Sequence, residues 1–121
     1  MLIDGNIIIY AAQPQHANLR TFIAQHAPAV SAVSYVEVLG YHKLGEVERT
    51  QLESFFHVAT VLSIDTNVLE EAVKLRQNRK MTLGDALVAG TALIHGRTLV
   101  TRNSKDFEWI SGLKVLNPFN T

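Results

Sequence analysis

Met1-Leu2-Ile3-Asp4-Gly5-Asn6-Ile7-Ile8-Ile9 opens the chain. Met1 to Ile3 is a short apolar run, Gly5 breaks it, and three isoleucines follow. The stretch reads as a buried first strand and a turn into a short helix, or as one strand continuing to Ile9. In either reading Asp4 sits among residues that face a core. Burying a lone carboxylate is costly unless it is paired, hydrogen-bonded or bound to a metal. No Lys or Arg lies within several residues of it.

Two more acids share this setting. Glu37 lies in Val33-Ser34-Tyr35-Val36-Glu37-Val38-Leu39-Gly40, and Asp85 in Leu83-Gly84-Asp85-Ala86-Leu87-Val88. Neither has a Lys or Arg among the three residues on either side. The economical explanation is that the three carboxylates meet in space and share a divalent cation, since hard cations such as Mg2+ take oxygen ligands.

The rest of the chain supplies the frame. Leu19, Phe22 and Ile23 have helical spacing within His16 to His26, with Pro28 beyond. Ala29 to Val33 reads as a second buried strand. Ser34 can cap a helix carrying Val36, Val38, Leu39 and Leu44. Val47 to Val58 is amphipathic, with Leu52, Phe55 and Phe56 on one side. Thr60 to Ile64 is a β-branched third strand. Asp65 caps a helix to about Arg79, whose apolar set is Val68, Leu69, Ala72, Val73 and Leu75. Thr82 to Ile94 is nearly all apolar and rich in small residues, a buried helix packed closely on the sheet and ended by Gly96. Thr98 to Thr101 is a fourth strand, and Lys114 to Leu116 a weak fifth. Strands alternating with helices at these spacings mean an α/β domain with a mainly parallel sheet of about five strands. In such sheets, sites form beyond the carboxyl ends of the strands. Asp4, Glu37, Asn103 and Asp106 all follow strands, and Asp85 lies in the first turn of the buried helix.

Size and composition narrow the function. The 121 residues suit one domain spanning 1–121, and the 47% apolar fraction suits a single layered core. The absence of cysteine excludes disulfides and thiolate metal sites. Eleven basic residues balance eleven acidic ones, so no bulk field attracts nucleic acid, and any polyanion must be held locally. No apolar run approaches a membrane span, and the N-terminus starts in a strand without a basic leader; a cytoplasmic protein is expected.

Each acid also has a plain structural reading. Asp4 with Asn6 could close a turn. Ser34 and Glu37 have capping-box spacing, as do Asn103 and Asp106. Asp85 complements a helix dipole. Their joint occurrence at strand ends favours a shared site. Lys74, Arg76, Arg79 and Lys80 read mainly as a solvated helix end. Arg102 and Lys105 flank Asn103 and could touch phosphate at the site mouth. The five histidines lack metal-ligand spacing. Phe107 and Trp109 read as packing over the last strand rather than a base-stacking platform.

At this point the chain resembles PIN-domain ribonucleases, most closely the VapC-type toxins of toxin–antitoxin pairs. The resemblance covers essentially the whole chain. It is carried by Leu2-Ile-Asp4-Gly-Asn6-Ile, Ser34-Tyr-Val-Glu37-Val-Leu-Gly, Leu83-Gly-Asp85-Ala-Leu-Val-Ala, Leu99-Val-Thr-Arg-Asn103-Ser-Lys-Asp106-Phe and Gly112-Leu-Lys-Val-Leu-Asn-Pro-Phe119. It implies a three-layer α/β/α fold and a Mg2+- or Mn2+-dependent endoribonuclease with Asp4, Glu37 and Asp85 as core acids. The direct metal ligands would be Asp4 and Asp85. Glu37 would orient or deprotonate the attacking water, and Asn103 or Asp106 would fill the fourth position. Asn6 and Ser34 would support the site. The resemblance further implies RNA as substrate, a homodimer, and a cognate antitoxin that plugs the acidic cleft. Two positions depart from the family pattern: Gly5, where Thr is usual, and Asn103, where the fourth acid is usual. They support the alternative of a catalytically impaired PIN module that binds RNA or protein. A phosphoacceptor receiver domain is a further alternative, but the acid after the first strand has no second acid beside it.

Overall fold

The computed structural model describes residues 1–120. Five strands form one parallel sheet: β1 (Leu2–Ile3), β2 (Ala29–Ser31), β3 (Val61–Leu62), β4 (Leu99–Val100) and β5 (Val115–Leu116). Their order is β3-β2-β1-β4-β5, so β1 is central. Leu2 and Ile3 register with Ala29 and Val30 on one side and with Leu99 and Val100 on the other. Six helices flank the sheet: α1 (Gly5–Ala11), α2 (Ala17–His26), α3 (Ala32–Leu39), α4 (Glu46–Val58), α5 (Thr66–Asn78) and α6 (Leu83–Ile94). Gly5 therefore begins a helix, and the continuous strand to Ile9 is not formed. Among the described residues no helix is long and apolar enough to cross a membrane.

The two-residue strands sort the core by simple alternation. Leu2, Ala29 and Leu99 point to one face, where they meet Leu75 of α5, Val88, Ala89 and Ala92 of α6, and Phe107. Ile3, Val30 and Val100 point to the other face, against Ile7 and Ile8 of α1, Val38 of α3, and Leu52 and Phe56 of α4. This is a three-layer α/β/α arrangement.

Several local expectations change. The helix after β2 begins earlier than its sequence suggests, at Ala32. Its cap is Ser31, whose hydroxyl accepts from the Val33 amide at 3.2 Å. Ser34 is then inside the helix and fully buried, and its Oγ has no hydrogen-bond partner. The Ser34–Glu37 capping box does not exist, because a cap must precede the first turn. Nor does Asn103 cap with its side chain the short 3₁₀ helix Ser104–Asp106. Asp65 and Thr82 do cap α5 and α6, accepting from the Val68 and Asp85 amides at 3.0 and 3.1 Å.

The apolar set of α5 splits. Val68, Ala72 and Leu75 are buried, whereas Leu69 and Val73 are about half exposed, at 49% and 56%. The small residues of α6 serve α5 as much as the sheet. A Cβ at Gly90 would lie 3.1 Å from the Val68 carbonyl oxygen and 3.4 Å from the Ala72 nitrogen. Gly90→Val should therefore force the two helices apart and destabilise the fold by about 1–3 kcal/mol. Urea unfolding measures this; an unchanged midpoint would mean that the α5–α6 contact is looser than described.

Candidate active site

Asp4 follows the central strand and is the N-cap residue of α1, yet its carboxylate makes no cap hydrogen bond. It is 7% exposed. Its Oδ2 instead accepts from the Thr101 hydroxyl at 2.9 Å, and that hydroxyl in turn accepts from the Asn103 amide at 3.1 Å. The carboxylate thus ties β1 to the chain leaving β4. Thr101 is fully buried, a role the sequence pattern barely marks. Its only signal was its place as the last residue of a buried strand beside the one bearing Asp4.

The other acids come from separate elements. Glu37 is in the last turns of α3 and Asp85 in the first turn of α6. Glu37 is exposed along much of its length, but its carboxylate rests over the backbone of Gly84. A Cβ at residue 84 would lie only 2.6 Å from Glu37 Oε2. Gly84 is thus the notch that brings Glu37 to the start of α6, beside Asp85. Asp106, on the 3₁₀ helix, lines the same cavity as Asp85.

Their electrostatics agree with convergence. Burial pushes the Asp4 carboxyl above its ordinary value; the Thr101 hydroxyl opposes this and the Asp85 charge adds to it. Burial, then the charges of Asp4 and Asp85, push Glu37 up. Asp85 is raised by burial and the charge of Asp106, against a lowering hydrogen bond from Thr82. Desolvation and like charges both disfavour the ionised forms.

The donor set suits a hard divalent cation. No lysine or arginine pairs with these acids among the described residues. Two oxygens beside Gly5 are buried without partners: Asn6 Oδ1, next in sequence, and Ser34 Oγ, 3.7 Å from where a Cβ on Gly5 would stand. Among the described residues no three acids or histidines already form a metal cage. Mg2+ needs none, since one or two carboxylates with waters and substrate phosphates commonly hold it. Gly5 is itself constrained: a Cβ there would lie 3.3 Å from Val38 Cγ2, so a threonine at this position would press on α3.

The remaining expected residues divide. Lys105 lines the cavity with Asp85 and Asp106. Arg102 turns elsewhere: its guanidinium lies 4.8 Å from the Tyr10 ring centroid and 4.6 Å from that of Phe119. Its cation binds the C-terminal segment to α1. The Asn103 side chain is exposed, and the backbone of that residue makes its contact with Thr101.

The PIN domain family model matches residues 1–112. The tRNA(fMet)-specific endonuclease VapC of Shigella flexneri is 28% identical over 124 residues, which span 94% of each chain. A chain of a toxin–antitoxin complex from Klebsiella pneumoniae superposes with a TM-score of 0.78 at 29% identity, covering 97% of this chain and 96% of that one. A chain of DNA-bound VapBC from Salmonella typhimurium superposes with a TM-score of 0.84 at 22% identity, covering 97% and 96%, which is a likeness of fold alone.

The raised carboxyls set a pH dependence. The folded state binds these protons more tightly than the unfolded chain does. Metal-free stability is therefore fully present below the ordinary carboxylate value and falls as pH rises through the raised ones. Asp4→Asn keeps the shape and the acceptor for Thr101 while removing one charge. In EDTA the mutant should melt no lower than wild type at neutral pH and lose less stability on going from mildly acid to neutral pH. Thermal melts at both conditions decide it. A mutant clearly less stable at neutral pH would make the Asp4 charge a structural asset.

Proposed function

The chain belongs to the PIN-domain family, and on that premise we propose that it is a VapC-type endoribonuclease. It hydrolyses RNA phosphodiester bonds with Mg2+ or Mn2+ in the cytoplasm, as the toxin of a toxin–antitoxin pair. The observation that carries the reading is the buried Asp4 at the end of the central strand, facing the charges of Asp85 and Glu37 with the Thr101 hydroxyl as its one side-chain hydrogen-bond donor. The names of its relatives, an endonuclease and members of toxin–antitoxin complexes, support the rest.

Asp4 and Asp85 would hold the cation, with Asp106 across the cavity as the fourth group. Asp106 takes precedence over Asn103 because its charge is felt at Asp85. When bound, a divalent cation lowers the pKa of a coordinated water and polarises a phosphoryl oxygen. Glu37 supplies the base: one of its carboxylate oxygens accepts a proton from the attacking water, and its raised pKa makes it a better acceptor than an ordinary carboxylate. Gly84 keeps that carboxylate over the start of α6. Thr101 holds Asp4 in one orientation, as groups behind a metal ligand do. Asn6 and Ser34 offer the two unpartnered oxygens beside it. Asp65, the acid after β3 on which a phosphoacceptor reading depends, is occupied as the cap of α5.

Single-stranded RNA should be cleaved internally with Mg2+ or Mn2+ and left whole in EDTA. Asp106→Asn should slow cleavage by about tenfold or more, while Asn103→Ala stays near wild type. Cleavage that survives EDTA after nuclease-free purification would defeat the mechanism. RNA bound but never cut, with metal present, would leave a binding module. An antitoxin should be encoded beside this gene as a small DNA-binding protein, and its co-expression should silence the cleavage.

A homodimer is part of the same proposal. Leu69 and Val73 are one turn apart on α5 and 49% and 56% exposed. Exposed apolar side chains at helical spacing fit a two-fold contact. Leu69→Arg should shift the protein from dimer to monomer in sedimentation, and a wild type already monomeric at micromolar concentration would remove the dimer.

A further inference from the structure

Beside the acids, the same cavity gathers basic and aromatic groups that the cleavage chemistry leaves unused. It lies between the end of α5 and the 3₁₀ helix and has a volume of about 500 Å3. Arg76, Arg79, Lys80 and Lys105 line it, with Trp109, and Asp85 and Asp106 form part of its wall. Four of the chain's eleven basic residues are gathered here, in a protein whose formal charge is zero. Among the described residues none of the four pairs with a carboxylate; the one ion pair, Lys74 with Glu71, lies elsewhere.

The details separate the cavity from an ordinary solvated helix end. The Arg79 guanidinium lies 5.4 Å from the Trp109 ring centroid. The Trp109 indole nitrogen donates to the Asp106 carbonyl at 3.0 Å, which orients the ring relative to the acid-bearing turn. Arg76 Nε donates to the Met81 carbonyl at 3.3 Å and braces the loop before α6. Trp109 packs partly against the core cluster of Phe107 and Ile110 and is half-buried. A cationic wall beside a braced, half-exposed indole is the combination that holds a single-stranded nucleic acid: cations track the phosphates and an aromatic ring stacks a base.

We propose that this cavity is the subsite for the RNA nucleotide flanking the cleaved bond. Lys80 and Lys105 contact phosphate, and the base stacks on Trp109 in the place the Arg79 guanidinium now occupies. This rests on the reading of the acids as an RNA-cleaving site. It also answers a problem that reading raises. A cluster of carboxylates repels a polyanion, and a neutral chain has no long-range field to overcome that. A local bank of cations adjoining Asp85 and Asp106 holds the strand where the metal alone would not.

The test uses the chain's single tryptophan as its reporter. The wild-type protein in EDTA is titrated with a short oligouridylate, so that binding is read without cleavage. Trp109 fluorescence should be quenched on saturation. Lys80→Ala and Lys105→Ala should each weaken binding and each lower the slope of log affinity against log salt by about 0.7, the value for one lost phosphate contact on a single strand. Trp109→Leu, followed by a fluorescent label on the RNA, should weaken binding several-fold to roughly a hundredfold. An abasic strand of equal charge should bind more weakly and leave the fluorescence unchanged. In cleavage assays with Mg2+, Lys105→Ala and Trp109→Leu should raise KM while kcat stays close to wild type.

Outcomes for the subsite and for the nuclease reading are separable. Active wild-type enzyme with no quenching, and with KM indifferent to both substitutions, overturns the subsite and leaves the nuclease intact. Quenching and charge-dependent binding by a protein that never cuts RNA sinks the nuclease and keeps the site. Equal affinity for the abasic strand overturns the stacking role. A Trp109→Leu protein that melts like wild type and binds like wild type overturns the proposal outright.

Discussion

The carboxylate of Asp4 is buried at the end of the central strand, with one side-chain hydroxyl to meet it. An ionised carboxylate can accept several hydrogen bonds, and Thr101 supplies one. The rest of the carboxylate must be left under-solvated, neutralised by a proton, or shared with something the site binds. That single constraint orders its surroundings. The strand stops at Ile3 and the chain turns at once into α1. Thr101 must close the neighbouring strand at the same height. The chain after β4 is fastened to the same hydroxyl through the Asn103 amide.

The arrangement opposes stability and favours binding. Glu37 and Asp85 bring further negative charge to a place where burial already disfavours ionisation. A packed core on both faces of the sheet offsets this, with Leu2, Ile3, Leu99 and Val100 wholly enclosed. A bound cation would supply what the site lacks from its own side chains, since a ligand that binds only the folded state stabilises it. Gly84 shows how closely the parts are fitted. Any side chain there would displace the Glu37 carboxylate.

Charge is gathered rather than spread. The acids gather at the carboxyl edge of the sheet, and beside Trp109 four basic residues, none in a salt bridge among the described residues, line a cavity with Asp85 and Asp106. Arg102, close to the acids in sequence, is drawn away to stack between Tyr10 and Phe119. Membership of the PIN family says nothing about where this particular chain keeps its cations.

The order of strands and helices was legible along the chain, because a parallel sheet needs buried apolar strands and crossover helices and both leave periodic patterns. The three acids stood out for a related reason, their apolar neighbours, but only Asp4 is buried: Tyr35 and Val36 beside Glu37 and Leu83 near Asp85 are exposed. The caps at Asp65 and Thr82 are local, one residue answering an amide three positions on, and Asp65 is legible as a cap directly. Ser34 misled because the capping-box pattern is satisfied by spacing alone, while the true start of α3 depends on where β2 ends. Thr101, Gly84 and the fate of Arg102 could not be read at all. Each is defined by a partner far away in sequence: Asp4 from 97 positions back, Glu37 across a helix contact, Tyr10 across the C-terminal segment. Sequence pattern determines what must be buried and which elements form, since those preferences act over a few residues. Which oxygen meets which hydroxyl, and which cation is free to meet a phosphate, is decided only when the sheet brings distant strand ends to one edge.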